Sequence, residues 1–261
     1  MATSASTSAE LSGRVALVTG AARGVGAAIV RCLVANGASV IAGDVRHDAV
    51  RALAAEVGAR ACRLDVTAQA DWEAAVGLAV SEFGRLDVLV NNAGVMEVAG
   101  LTDATPEHVD RMVSVNLLGC VLGIRTAGRV MSEAGGGSIV NLGSVVATTP
   151  CEGLGVYAAS KAGIAALTKV AAMELGGSGV RVNVVRPGGV DTEMGAPGGV
   201  HPPFYARMAL GRIGGPAEIA EVVAFVASDR ASYMTGGEVL VDGGWTAGRY
   251  AAEMDAPVVG G

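Results

Sequence analysis

Residues 14–26 of the chain read RVALVTGAARGVG. An apolar run of strand length, residues 14–19, passes directly into a glycine-rich turn and then into a stretch with apolar residues at helical spacing. A strand that is apolar without alternation is typical of a parallel sheet that is covered on both faces. The stretch therefore predicts a strand–turn–helix unit at the start of an α/β domain.

The same unit recurs along the chain. Strand-like runs lie at 14–19, 39–44, 60–65, 86–91, 137–142, 180–185 and 238–242, and helix-like stretches at 24–36, 47–57, 70–83, 105–131, 155–176 and 216–228. The pattern predicts one domain over residues 11–245, a doubly wound parallel sheet (Rossmann fold) with helices on both faces. We expect a flexible N-terminus at 1–10, a substrate loop at 188–212 and a C-terminal tail at 246–261.

Composition excludes several classes of protein. The 261 residues are 51% hydrophobic and carry a net charge of −6 with no basic stripe, which disfavours nucleic-acid binding. The first ten residues lack the features of a secretory signal, and no apolar run of bilayer length stands out, so we expect a cytoplasmic protein without a membrane partner. The four cysteines are widely spaced without histidine neighbours, so we expect no metal site.

The glycine-rich turn is suited to binding a phosphate. Gly20, Gly24 and Gly26 let a main chain approach a pyrophosphate closely, and Arg23 and Val25 lie in the same turn. The spacing departs from G-x-G-x-x-G, so the turn by itself is also compatible with a glycine-rich connection that binds nothing.

Asp44 ends the second strand-like run and bears on the choice of dinucleotide. Its carboxylate would accept hydrogen bonds from adenosine ribose hydroxyls and would face the 2′-phosphate of NADP. Like charges about 4 Å apart cost on the order of 4 kcal/mol at an effective dielectric near 20, which favours NAD. Arg23 and Arg46 could pair with an extra phosphate, so NADP remains the alternative.

Residues 157–161 read YAASK and form the candidate catalytic motif. Only two of the 19 Lys and Arg residues are lysines, and Lys161 lies one helical turn after Tyr157, on the same face. A nearby ammonium is expected to lower the pKa of a phenol and make it a better proton carrier. Ser144 ends the fifth strand-like run, where its hydroxyl could polarise a carbonyl, although a serine there is more often a turn residue.

Taken together, these motifs resemble the short-chain dehydrogenases/reductases. The resemblance rests on TGAARGVG (19–26), Asp65, NNAG (91–94), Asn116 in SVNLLG, Ser144, YAASK and RPGGVDT (186–192), and covers residues 11–245. Within that family the sequence looks similar to the bacterial 3α/20β-hydroxysteroid and cyclic secondary-alcohol dehydrogenases. One departure is Gly143, where many relatives have a serine.

The resemblance implies the following roles. Tyr157 would be the general acid/base, Lys161 would tune it and hold the nicotinamide ribose, Ser144 would orient the carbonyl, and Asn116 would hold a water in a proton relay. The further cofactor contacts that it implies are the adenine-side residues Asp65 and Val66, the supporting residues Asn92, Ala93 and Gly94, and, at the nicotinamide end, Pro187, Gly188, Val190 and Thr192. It also implies a homotetramer built on the helices at 105–131 and 155–176, with the VDGGW end in a second interface.

The substrate wall is expected from residues 145–156 and 188–212. The candidate contacts are Met96, Val145, Val146, Cys151, Met194 and Phe204. An apolar wall suits a neutral small-molecule alcohol or ketone, cyclic compounds and steroids included. Two alternatives remain: an NADPH-dependent ketoreductase acting on acyl carrier protein or polyketide substrates, and a catalytically silent dinucleotide-binding protein.

Overall fold

The computed structural model describes residues 10–248. The predicted flexible N-terminus and the predicted C-terminal tail therefore lie almost entirely outside the described residues.

Seven strands form one parallel sheet in the order β3-β2-β1-β4-β5-β6-β7. Their bounds are β1 Val15–Thr19, β2 Ser39–Asp44, β3 Arg60–Arg63, β4 Val88–Asn91, β5 Gly137–Leu142, β6 Val180–Pro187 and β7 Glu238–Val241. The strand order reverses beside β1, so the chain winds outward in both directions from that strand. The predicted doubly wound α/β fold is confirmed.

Helices cover both faces of the sheet. They are α1 Gly24–Ala35, α2 His47–Val57, α3 Gln69–Phe83, α4 Pro106–Met112, α5 Gly119–Glu133, α6 Gly155–Gly176 and α7 Pro216–Ala227. Apolar residues of α1, α2 and α7 pack in one core cluster, and those of α3, α5 and α6 pack in a second one on the opposite face. The central strand β1 is buried at every position, as a sheet covered on both faces requires.

A network of hydrogen-bonded, buried polar side chains crosses the second core. Asn91 Nδ2 on β4 donates to Asn141 Oδ1 on β5 at 2.8 Å, and Asn141 Nδ2 donates to Thr168 Oγ1 on α6 at 2.9 Å. Cys120 Sγ on α5 lies 3.3 Å from the same Asn141 oxygen. Because a buried polar group without a partner is costly, this network restricts the position of α6 on the sheet.

The structure differs from the sequence prediction at one long helix. The stretch predicted as a single helix over 105–131 is α4 and α5 joined by a π-helical segment, Val113–Leu118. Such segments often mark functional sites, and this one carries Asn116. Thr105 caps the start of α4 by accepting a hydrogen bond from the main chain of His108.

The same continuous helix, Pro106–Glu133, is the one helix within residues 10–248 that is long and apolar enough to cross a membrane by length and composition. A buried core helix passes the same test, so the expectation of a protein without a membrane partner stays a prediction. The inward residues of this helix, Cys120, Ala127 and Met131 among them, are buried in the second core, which accounts for much of its apolar character.

Candidate active site

The glycine-rich turn connects β1 to α1 at the carboxyl edge of the sheet. Gly20 and Gly24 have φ of 63° and 55°, a backbone region that favours glycine. A Cβ on Gly26 would lie 2.1 Å from the Gly20 carbonyl oxygen, so the turn closes only without a side chain there. The result is a main-chain cradle at the N-terminus of a helix, which fits a pyrophosphate.

The NNAG motif at the end of β4 holds this turn in place. Asn92 Nδ2 donates to the carbonyls of Thr19 and Gly20 at 2.9 and 3.1 Å. Thr19 Oγ1 in turn accepts from the main-chain N–H groups of Asn92 and Ala93. The Asn92 side chain therefore fixes the shape of the glycine-rich turn.

Asp44 is buried at the end of β2, 4% exposed, and faces the same turn. Its Oδ2 accepts from the main chain of Ala22 at 3.0 Å, and its Oδ1 accepts from that of Arg46 at 2.9 Å. The Arg46 side chain lies at the outer edge of hydrogen-bond distance, with Nε 3.5 Å from the same carboxylate. The carboxylate thus has a fixed orientation and a negative charge beside the phosphate cradle.

Asp65 and Val66 follow β3. Asp65 Oδ1 accepts from both the main chain and the hydroxyl of Thr67, and this hydroxyl hydrogen bond is the largest effect that lowers the pKa of Asp65. The Val66 carbonyl accepts from Trp72 Nε1 at 2.9 Å. The turn after β3 is therefore ordered at the carboxyl edge, next to the turn after β2.

The segment after β6 closes over the glycine turn. Thr192 Cγ2 lies 3.3 Å from the position that a Cβ on Gly24 would take. Gly188 is packed so closely that its Cβ would lie 2.9 Å from the Asp242 Cα. Val190 pairs with Gly214 in an isolated parallel bridge, so the ends of the predicted substrate loop meet beside the cradle.

Tyr157 and Lys161 project from the first turns of α6 and are buried, 8% and 4% exposed. Lys161 Nζ donates to the Leu142 carbonyl at 2.8 Å and lies 5.7 Å from the centre of the Tyr157 ring. Burial lowers the pKa of Lys161 to about 8 and raises the pKa of Tyr157 to about 12. The pKa of the phenol is therefore raised and not lowered as expected, because burial outweighs the hydrogen bond with Ser144.

Ser144 follows β5 and faces the same space. A hydrogen bond with Ser144 acts to lower the pKa of Tyr157, against the larger effect of burial. The Ser144 hydroxyl also accepts a long hydrogen bond, 3.4 Å, from the Val146 main chain. Ser144, Tyr157 and Lys161 are thus brought together, as the sequence predicted.

Asn116 lies within the π-helical segment, buried beside Lys161. Its Oδ1 accepts from the Val95 main chain at 2.8 Å, and its Nδ2 donates to the Val95 carbonyl and to Ser160 Oγ. A Cβ on Gly94 would lie 3.3 Å from Asn116 Oδ1 and 3.5 Å from Lys161 Nζ. The amide of Asn116 therefore fixes the segment that follows NNAG next to Lys161.

An apolar cluster surrounds the Tyr157 ring. Met112 and Val146 are its other buried members, and Met96 and Cys151 pack against it. Val145, in contrast, is fully enclosed at 1% exposure. Three of the six predicted substrate contacts therefore lie together at Tyr157.

The substrate loop carries an aromatic cluster that the sequence argument did not single out. Phe204, Tyr205 and Trp245 have ring centres 4.1 to 6.1 Å apart. Phe204 is 42% exposed and Met194 37% exposed, whereas Tyr205 is buried against Gly189, where a Cβ would lie 2.2 Å from its hydroxyl. The sequence signal that could have predicted this cluster is the adjacent aromatic pair in the loop, together with a tryptophan just after the last strand.

No group of three or more His, Cys, Asp or Glu side chains within residues 10–248 could hold a metal ion. A cavity of about 680 Å³ opens at the amino edge of the sheet, lined by Arg14, Asp87, Arg181 and neighbouring glycines, and it includes none of the predicted site residues. The candidate site is thus the carboxyl edge, where a tyrosine, a lysine and a serine meet a phosphate cradle.

Comparison with known proteins agrees with this arrangement. Residues 20–246 match a family model described as enoyl-(acyl carrier protein) reductase. A 3-alpha-(or 20-beta)-hydroxysteroid dehydrogenase of Mycobacterium tuberculosis is 46% identical over 246 residues, covering 92% of each chain. A trans-4-hydroxycyclohexanecarboxylate dehydrogenase of Sinomonas cyclohexanicum is 42% identical, covering 90% of this chain and 93% of that one.

A crystal structure of a short-chain type dehydrogenase/reductase from Mycobacterium marinum superimposes with a TM-score of 0.87 at 33% identity, covering 92% of this chain and 98% of that chain. The fold and these similarities place the chain among the oxidoreductases of the Rossmann type. The chain belongs to the short-chain dehydrogenase/reductase family, whose members use nicotinamide dinucleotides.

The buried ammonium of Lys161 makes a testable contribution to stability. Unfolded lysine holds its proton to about pH 10.5, whereas folded Lys161 releases it above about pH 8. The wild-type protein is therefore penalised below pH 8 and recovers between these values. We expect the free energy of unfolding of Lys161→Met, relative to wild type, to fall by up to ~3 kcal/mol between pH 7 and pH 10.5, in addition to a constant cost for the Leu142 carbonyl, which loses its donor.

Lys169→Met is the matched control, because Lys169 is the other lysine of the chain and is 60% exposed. Thermal unfolding of the three proteins from pH 6 to 10.5 provides the comparison. A difference between Lys161→Met and wild type that does not change with pH would contradict the assignment.

Proposed function

We propose that the protein is an NAD(H)-dependent oxidoreductase that interconverts a secondary alcohol and a ketone. The observation that carries the proposal is the meeting of Tyr157, Ser144 and Lys161 at the carboxyl edge of the sheet, beside the Gly20–Gly26 cradle. In this proposal Tyr157 carries the proton, the Ser144 hydroxyl binds the substrate oxygen and Lys161 provides a positive charge. The reaction then needs no metal ion.

The residues have distinct tasks in this proposal. Tyr157 gives a proton to the substrate oxygen in reduction and takes one in oxidation, and the Ser144 hydroxyl holds that oxygen in place. Lys161 holds the nicotinamide ribose, and Asn116, which joins Val95 to Ser160, holds a water in a proton relay. When bound, the nicotinamide ring supplies or accepts the hydride.

The rest of the cofactor is assigned to the strand ends. The contacts we propose are the cradle residues Gly20, Arg23, Gly24, Val25 and Gly26, then Asp44 for the ribose, Asp65 and Val66 for adenine, Asn92, Ala93 and Gly94 after β4, and Pro187, Gly188, Val190 and Thr192 at the nicotinamide end. Their support is that they share one edge of the sheet, and that Thr192 lies against Gly24.

The substrate we propose is neutral and mostly apolar, with cyclic alcohols and steroids as the first candidates. Met96, Val146 and Cys151 form an apolar surface beside Tyr157, and Phe204 and Met194 are partly exposed on the substrate loop. The names of the mycobacterial and Sinomonas relatives point to steroid and cyclohexane alcohols. A buried apolar surface with one polar end suits such compounds.

Two alternatives lead to different assay results. The description of the matching family model favours a biosynthetic reductase, which would use NADPH and carrier-bound substrates. A catalytically silent dinucleotide-binding protein would bind cofactor without turnover. A spectrophotometric screen of secondary alcohols, ketones, steroids and acyl thioesters with both cofactors distinguishes the three functions.

The role of Tyr157 is tested by removing only its hydroxyl. Tyr157→Phe keeps the ring that packs on Met112 and Val146 but cannot carry a proton. We expect kcat to fall by at least 10²-fold, in line with the usual worth of general acid/base catalysis. Cofactor affinity, measured by fluorescence titration, is expected to change little, with Tyr233→Phe as a control at a fully exposed tyrosine. Turnover near the wild-type rate would refute the assignment.

The cofactor preference is tested by thermal shift. NAD is expected to raise the melting temperature more than NADP at equal concentration, because Asp44 places a negative charge beside the cradle. Asp44→Asn keeps a hydrogen-bond acceptor and removes the charge. It is therefore expected to reduce the difference between the melting-temperature shifts produced by NAD and NADP. Asp48→Asn removes an exposed charge on α2 and serves as control. A larger shift with NADP in the wild-type protein would overturn the preference.

We propose a homotetramer in the cytoplasm, acting on a small molecule without a nucleic-acid or membrane partner. Val109, Val113, Leu118 and Val121 are each more than one-third exposed along α4, the π-helical segment and α5. Leu240 on the edge strand β7 is half-exposed, which suits a second interface. Light scattering is expected to give the mass of four chains, and Val121→Glu is expected to reduce it. A stable wild-type monomer would contradict this proposal.

A further inference from the structure

The buried guanidinium of Arg186 contacts residues 144–148, the loop that follows β5 and carries Ser144. Arg186 lies on β6, is 5% exposed, and donates from Nε to the Ser144 carbonyl at 3.1 Å. Its Nη2 donates to Thr148 Oγ1 at 2.6 Å and weakly to the Val145 carbonyl at 3.4 Å. A single guanidinium thus holds residues 144–148, the segment that carries the serine of the site.

The orientation of this guanidinium is itself fixed. Glu238 on β7 accepts from Arg186 Nη1 at 2.5 Å and also pairs with Lys169 Nζ at 3.0 Å. Lys169 lies on α6, about two turns beyond Lys161. The charges therefore connect the loop after β5, two strands and the helix that carries Tyr157.

The unusual glycine before Ser144 fits the same arrangement. A Cβ on Gly143 would lie 3.0 Å from Arg186 Cγ and 2.8 Å from Val184 Cγ2. The arginine stem occupies part of the room that a serine at position 143 would need. Gly143 and Arg186 are therefore a sterically matched pair.

A second arginine on the same strand provides a comparison. Arg181, at the opposite end of β6, also donates to main-chain carbonyls, those of Val226, Ala227, Ser228 and Met234. Both arginines donate hydrogen bonds to main-chain carbonyls, but only Arg186 contacts residues 144–148. Its planar fork reaches a carbonyl, a hydroxyl and a carboxylate at once, which an ammonium cannot reproduce.

We propose that Arg186 is a positioning residue for the reaction: it sets the main chain at Ser144 so that the serine hydroxyl is held at Tyr157. The inference rests on the proposed function, since it assigns Ser144 a part in turnover. Arg186 acts through Ser144 and touches neither substrate nor cofactor in this proposal.

The first test compares Arg186→Met with Arg181→Met, each in the full-length protein. A misplaced catalytic group typically costs up to about 10²-fold, so Arg186→Met is expected to lower kcat roughly 10- to 100-fold. Arg181→Met is expected to lower the melting temperature while keeping kcat within about twofold, measured well below both melting temperatures. Equal losses of kcat in the two variants would overturn the proposal.

The second test asks whether the effect passes through the serine. In a Ser144→Ala background, Arg186→Met is expected to change kcat by less than about twofold, since the hydroxyl that it positions is gone. Losses that multiply in the double variant would overturn the proposal. The alkaline limb of the pH profile for ketone reduction, in which Tyr157 must carry its proton, provides another readout, because the Ser144 hydrogen bond lowers the pKa of Tyr157. Arg186→Met is expected to move that limb to higher pH, as Ser144→Ala does.

A replacement variant and a stability measurement test the proposal if Arg186→Met folds poorly or if no substrate is found. Arg186→Lys keeps the charge beside Glu238, so it replaces Arg186→Met in the same comparisons if the latter does not fold. Gly143→Ser is expected to lower the melting temperature less in an Arg186→Ala background than in wild type, a readout that needs no substrate. An equal loss in both backgrounds would refute the matched pair, whereas absence of wild-type turnover would count against the proposed function alone.

Discussion

The site depends on how helix α6 is fixed to strand β5. Lys161 Nζ donates to the Leu142 carbonyl, and Asn141 donates to Thr168 farther along the same helix. Both hydrogen bonds are buried, so a shift of the helix would leave polar groups unpaired at a cost of about 1–3 kcal/mol each. With the helix fixed at two points, Tyr157 and the end of β5 keep one mutual position. The glycine cradle and the NNAG turn are then placed relative to them by the neighbouring strands β1 and β4.

Much of the fold could be predicted from the sequence because its signals are local. Continuous apolar runs such as 14–19 and 137–142 are typical of strands covered on both faces, and the structure buries both nearly completely. Gly26 was predicted to let the main chain approach a pyrophosphate, and in the structure it is the Gly20 carbonyl that leaves no room for a side chain there. These inferences needed only a residue type and its position in a strand–turn–helix unit.

The features that could not be predicted depend on long-range contacts. Arg186 reads as one more charged residue beside a proline, and its role appears only when β6 is placed behind residues 144–148. The π-helical segment has no evident local signal, since 113–118 continues the helical pattern around it. The pKa of Tyr157 was wrongly expected to fall, because proximity to Lys161 is visible in the sequence and the extent of burial is not.

The bridge between Val190 and Gly214 separates the substrate loop from the sheet. Asp191 N–H donates to the Gly214 carbonyl at 2.8 Å and Gly214 N–H to the Gly189 carbonyl at 3.0 Å, so the loop leaves and re-enters the domain at one point. A second attachment, from Leu210 N–H to the Gly243 carbonyl, joins its far side to the end of β7. We expect chain added or removed at the exposed positions between these two attachments to leave strand register and helix packing unchanged. We therefore expect the proposed substrate range to vary among relatives through this loop, while the residues around Tyr157 stay the same.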